Sequence, residues 1–197
     1  EMEEEKVKED LEEAMPHVRA AEHAIETIDV KEVKKTRKMP NPNDMTKLVF
    51  DCVLLLLGKP IKSVEAVEVT LGFGMDRTKQ TFIADSYLLA RRGILAEKNF
   101  LRQLYIFVEE SRDHVNDETL ELLEPYFELP HFVPEKLTQI SPMSSRLLTW
   151  VKASTEYRNL VRDIQPQVEA VQHRKNELAH DLKTTGVLES QCRTLRG

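Results

Sequence analysis

The chain has 197 residues, 41% hydrophobic and 31% charged, with six glycines and a formal net charge of −6. So few glycines disfavour a turn-rich β fold, and the acidic balance disfavours a general nucleic-acid binder. The longest uncharged apolar run, Cys52-Val-Leu-Leu-Leu-Leu57, is far shorter than the roughly 20 residues that cross a bilayer.

Cys52 and Cys192 are far apart and give no disulfide framework, so a reducing compartment is expected. The acidic N-terminus is no signal peptide. A first residue of Glu rather than Met is expected of a piece of a longer polypeptide.

Val7, Leu11, Ala14, Val18, Ala21, Ile25 and Ile28 step alternately by four and three, which predicts the seam of a coiled coil. Four heptads of helix run roughly 45 Å. Pro16 lies inside the run, where a proline removes a backbone bond and kinks a helix. Pro40 and Pro42 stop this first arm. Asn43 or Asp44 then caps a helix whose Met45, Leu48, Val49, Cys52, Val53 and Leu56 form a core-facing stripe, closed by Gly58.

Residues 59–84 read as a long, poorly periodic connection containing Gly72-Phe73-Gly74, of a length that is often functional or mobile. Short helices are predicted near 85–95 and 99–109, the second offering Phe100, Leu101, Leu104, Tyr105 and Val108. Asn116 or Asp117 opens another, with Leu120, Leu123 and Phe127. Pro134 starts a turn or two with Leu137 inward. Ser141-Pro142 is a hydroxyl cap followed by proline at the first helical position. The helix it opens runs through Leu147, Leu148, Trp150, Val151 and Tyr157 into the C-terminal arm.

That arm repeats the heptad stepping at Ile164, Val168, Val171, Leu178 and Leu182, with Lys175 in a core place and Leu188, Cys192 and Leu195 after a slip near Gly186. Neither terminal stripe can bury itself alone. Antiparallel pairing of the two ends is the simplest solution; two separate amphipathic helices or a parallel dimer between chains are the others. The fold class expected is all-α, a small helical-bundle head on an antiparallel two-stranded coiled-coil stalk. Residues 1–38 would be the first arm, 39–165 the head with an extended insertion at 59–84, and 166–197 the second arm.

Charge is unevenly spread. Residues 1–30 carry three basic and eleven acidic groups, 31–62 eight and three, 63–135 seven and fourteen, 136–162 five and one, and 163–197 five of each. The two basic segments are either two solvated helix faces or, if folding joins them, one positive face suited to an acidic partner.

Chemistry is sparse. No phosphate-binding glycine loop is present, and a lone G-x-G reads as a turn. His173 and His180 lack company at metal-ligand spacing, and Glu109-Glu110 point apart on a helix. No nucleophile has its base. Catalysis, a cofactor and a metal are therefore not expected of this segment.

Ile28-Asp29-Val30-Lys31-Glu32-Val33-Lys34, Asn41-Pro42, Lys47-Leu48-Val49 and Cys52-Val53-Leu54-Leu55-Leu56-Leu57-Gly58 resemble the junction of the dynein stalk with its microtubule-binding head. Asn99-Phe100-Leu101 resembles the start of a central head helix. Phe132-Val133-Pro134-Glu135-Lys136-Leu137, then Ser141, Leu148, Trp150-Val151 and Tyr157, resembles the run into the last one. Departures are Asn43, where the family has a second proline, and Tyr87, where a tryptophan is common. The long connection is similar to axonemal rather than cytoplasmic dyneins, and Asp117 through Phe127 looks like the outer-arm gamma class.

The resemblance implies a tubulin or microtubule partner, a place in the cytoskeleton of a cilium or flagellum axoneme, and an ATPase carried elsewhere in the parent motor. It also implies a leucine-rich-repeat light chain at the connection and at the short helix after Pro134. Membrane and nucleic acid are not among the partners it implies. Carried over by position, Lys47, Arg102, Arg146 and Lys152 are the microtubule-binding candidates, and Pro40, Pro42 and Pro166 mark the stalk–head junction. The arms would signal by sliding about one helical turn. A static coiled-coil scaffold with a helical protein-interaction head, or a nucleic-acid module using the basic run 31–38, are the rival readings.

Overall fold

The computed structural model describes residues 2–59, 66–71, 78–83 and 86–196, with side chains described for 4–59 and 86–188. Gly72-Phe73-Gly74 and the side chains of Cys192 and Leu195 lie outside the described residues. Two compact units emerge: one of residues 1–14 with 159–197, the other of residues 15–158. Among the described residues no helix is long and apolar enough to cross a membrane.

The first unit is a pair of antiparallel helical segments. They are the first residues of α1 (Met2–Glu26) and those of α8 (Pro142–Arg196) from Asn159 onward. The predicted seam is where the apolar residues go: Val7, Ala14, Val161 and Ile164 are buried, with Leu11, Val168 and Val171 partly covered. Lys175 Nζ lies 2.8 Å from Glu4 Oε1. Val7 and Lys6 line a cavity of about 230 Å3 with Gln167, Ala170, Val171 and Arg174. These pairings run in opposite chain directions. Leu178 and Leu182, expected in the seam, are 62% and 73% exposed.

The second unit is a helical bundle around α3 (Asp44–Leu56). Asn43 caps α3 by accepting from the Met45 amide at 2.9 Å. Gly58, at φ +61, ends it, with the Lys59 amide donating to the Leu54 carbonyl. Its Leu48, Val49, Phe50, Cys52, Val53 and Leu54 are all buried. The helix is therefore covered nearly all round rather than on one stripe, as befits a central element. Leu147, Leu148, Trp150 and Val151 of α8 complete the core, with Trp150 edge-on to Phe107 at 5.1 Å.

The run predicted as one arm to residue 38 is two helices. α1 ends at Glu26, and Asp29 starts α2 (Val30–Lys38) by accepting from the Lys31 amide at 2.8 Å. An Asx cap offers the backbone a better partner than helix continuation there. Val18, Ala21, Ile25 and Ile28 are buried within this unit, and His17 pairs with Glu156 at 3.0 Å.

The connection after α3 is not wholly irregular. Strands β1 (Ala66–Leu71) and β2 (Thr78–Ile83) pair antiparallel, Ala66 opposite Ile83 and Leu71 opposite Thr78. The helical fold thus carries one hairpin, which the sequence reading did not expect. Next comes α4 (Tyr87–Arg92), ended by Gly93, where a Cβ would meet the Leu89 carbonyl at 2.9 Å. α5 (Phe100–Ile106) widens into a π turn at Phe107–Ser111, so the helix expected to 109 changes pitch near its end. Then follow α6 (Asp117–Phe127), capped by Asn116, and α7 (Pro134–Leu137). Ser141 caps α8 through the Ser144 amide.

Tyr87, in place of the common tryptophan, is buried against Phe50, and its hydroxyl donates to the carbonyls of Thr36 at 2.7 Å and Met39 at 3.0 Å. It joins α2 to α4. Tyr87→Phe should leave those carbonyls underbonded and cost about 1–3 kcal/mol in a urea titration; an unchanged midpoint would show that the bridge contributes nothing.

Candidate functional site

Four cations were singled out, and the structure sets them in different environments. Lys47 is on the first turns of α3, 18% exposed, with Nζ 3.5 Å from Asp44 Oδ1. Arg146, one turn into α8, places Nη1 2.7 Å from Glu32 Oε2 and is 34% exposed. Lys152 is half-buried, its ammonium 5.6 Å from the centre of the Phe127 ring. Arg102 is exposed on α5.

The helix starts that carry Lys47 and Arg146 are joined by residues that sequence reasoning missed. Ser144 Oγ donates to Thr46 Oγ1 at 3.2 Å, joining the first turns of α3 and α8. Both hydroxyls are buried, so each needs the other. At the next residue, Ser145 Oγ donates to the Pro134 carbonyl at 2.7 Å, and Thr138 Oγ1 donates to Ser145 Oγ at 2.9 Å. These bonds seat α7 on α8. Thr36 Oγ1 donates to Met143 Sδ at 3.3 Å, holding α2 beside the same turn. A pair of serines inside an otherwise apolar helix start was the available signal. The structure gives no such link from Arg102 to the other three.

The junction prolines differ. Pro40 is exposed in the bend after α2, and Pro42 is buried just before the Asn43 cap. Pro166 is exposed inside α8, which is continuous through it.

Charge at the site is largely compensated. Asp44 faces Lys47, Glu32 faces Arg146, and the π face of Phe127 faces Lys152. Partly exposed pairs of this kind stabilise by about 1 kcal/mol, so an incoming carboxylate can compete for them. Beneath the site the Cys52 thiol is buried, and burial, then the neighbouring Asp51 carboxylate, push its pKa well above the ordinary thiol value. It is a packing residue rather than a nucleophile. Phenol ionisation is likewise disfavoured by burial at Tyr126, beside Asp51, and at Tyr157, whose hydroxyl donates to Asp113 Oδ1 at 2.7 Å. In the first unit the Glu4 carboxyl is held below its usual value by its bond to the Lys175 ammonium.

A protein-family model described as the microtubule-binding stalk of dynein motor matches residues 1–193. The chain is 27% identical over 182 residues to the "Dynein gamma chain, flagellar outer arm" of Chlamydomonas reinhardtii, covering 92% of this chain and 4% of that one. It is 27% identical over 158 residues to "Dynein axonemal heavy chain 5" of Mus musculus, covering 80% and 3%. The chain therefore spans only about 3–4% of the length of these relatives. Among solved structures, "Microtubule Binding Domain of DYNEIN-C" superposes with a TM-score of 0.55 at 22% identity, covering 82% of this chain and 95% of that one. That likeness establishes the fold.

Proposed function

This chain belongs to the family of microtubule-binding stalks of dynein motors, and from that premise we propose that its helical unit docks on the acidic surface of tubulin through cations on α3, α8 and α5. The segment is a stalk domain rather than an ATPase domain; the ATPase is proposed to reside elsewhere in the parent heavy chain. The relatives are axonemal and flagellar heavy chains, which supports a place in the axonemal cytoskeleton. The family match sets aside the static scaffold.

The observation that carries the docking proposal is the Ser144–Thr46 bond, which sets Lys47 and Arg146 on adjoining first turns. Lys47 has the Asp44 carboxylate beside it, and Arg146 has that of Glu32. A filament carboxylate would exchange for that partner, so affinity should fall steeply with salt. Lys47→Glu should weaken microtubule co-sedimentation severalfold, while Asp44→Asn should not; unchanged binding by Lys47→Glu would remove that residue from the interface.

The register-shift proposal rests on the weakness of the seam. Ala14 is a small core residue, Lys175 falls at a heptad core position yet is 55% exposed, and a cavity lies beside Val7 and Val171. Small and polar seam residues lower register preference, and sliding by one turn moves an arm about 5.4 Å. Disulfides joining Val7→Cys to Val171→Cys, or Val7→Cys to Lys175→Cys, would trap neighbouring registers. They should give different microtubule affinities; identical affinities would end the idea.

A leucine-rich-repeat light chain is the further partner proposed. The support is similarity to an outer-arm gamma chain together with the exposed Glu135 and Lys136 of α7. Such a light chain should co-elute with this chain in size-exclusion chromatography and lose that property with Glu135→Lys and Lys136→Glu combined. Separate elution of the wild-type chain would withdraw this partner.

A further inference from the structure

We propose that the cleft where the last turns of α2 and α4 meet is a separate anion-binding surface that takes an extended acidic peptide. Arg37, Arg91 and Arg92 line an open cleft of about 410 Å3 with Ala96. The same end of α2 presents Lys34, Lys35 and Lys38, all exposed. Among the described residues none of these six cations forms an ion pair, whereas Lys47 and Arg146 each have a carboxylate. None of Lys47, Arg102, Arg146 and Lys152 lines this cleft.

The cleft is also partly preorganised. Arg91 Nε donates to the Arg37 carbonyl at 2.8 Å, which fixes the Arg91 guanidinium and leaves its two terminal amino groups for a ligand. A planar fork held in this way suits bidentate carboxylate binding. Cations at helix ends also complement the backbone dipole, and that explains Arg91, which satisfies a terminal carbonyl of α2. It does not explain why Arg37 and Arg92 share the cleft with it, since like charges repel at short range.

An acidic peptide fits better than a nucleic acid. A duplex would extend beyond the cleft over a chain with 34 acidic against 28 basic side chains. A flexible segment with carboxylates on short stems engages the arginines alone.

The test is a fluorescence-anisotropy titration of a labelled decaglutamate peptide against the chain at low salt. Saturable binding is expected, weakened about tenfold by Arg37→Glu with Arg92→Glu, preserved by Arg92→Lys, and unaffected by Lys47→Glu. Circular dichroism verifies folding, and Arg92→Ala, expected to weaken binding about threefold, is read if the double variant does not fold. The proposal is overturned if the wild-type chain shows no saturable binding, or if the folded Arg37→Glu/Arg92→Glu double variant or Arg92→Ala binds like wild type. It is equally overturned if Lys47→Glu weakens binding as much as they do, or if a DNA oligonucleotide of equal charge binds as tightly. The Lys47 arm separates failure here from failure of the microtubule interface.

Discussion

A carboxylate with no solvent exposure stands in the middle of the most apolar helix of this protein. Asp51 lies between Phe50 and Cys52 on α3, and all three are fully buried. A buried charge is costly unless hydrogen bonds replace the water it gave up. Asp51 Oδ1 accepts from the Ser86 amide at 3.0 Å, and Oδ2 from the Tyr126 hydroxyl at 3.4 Å. The first partner stands at the start of α4 and the second inside α6. A single side chain thus fixes how three helices meet, with a directional constraint that apolar packing alone would not supply. The orientation of α3 then decides where Lys47, one turn earlier, comes to the surface.

The parts of this arrangement that were legible in the sequence are those set by local rules. The heptad stepping of Val7, Ala14, Val18, Ala21 and Ile25 identified the buried side of α1 because burial follows helical periodicity. Asn43, Asn116 and Ser141 were readable as caps because a short polar side chain before an apolar stripe satisfies amides that the helix leaves open. The hairpin was equally local and was overlooked. Val67, Val69 and Leu71 alternate with Glu68 and Thr70, the two-residue period of a strand. The glycines nearby drew the reading toward an irregular connection instead.

What stayed hidden depends on partners far along the chain. Nothing near Tyr87 announces the carbonyls of Thr36 and Met39, and nothing near Ser144 announces Thr46. The break at Asp29 was obscured because the heptad pattern carries on to Ile28 while an Asx cap competes for the backbone. The helix read as running from Ser141 into the C-terminal arm does so, with Pro166 inside a continuous α8 as Pro125 is inside α6.

Segment charge proved a poor guide to usable charge. The excess of cations over 31–62 and 136–162 left open two solvated helix faces or one positive face, and folding matches Lys47 with Asp44, Arg146 with Glu32 and Lys152 with an aromatic ring. A cation paired in this way does not act on a distant anion with its full charge, because the pair presents a dipole and salt screens what remains. It can still act at contact, where a second carboxylate replaces the first at little net cost. An interface built from such pairs discriminates by geometry, through the fixed spacing of α3 and α8 at the Thr46–Ser144 bond, more than by net attraction. Each such contact is individually weak, and the set is strong only in register.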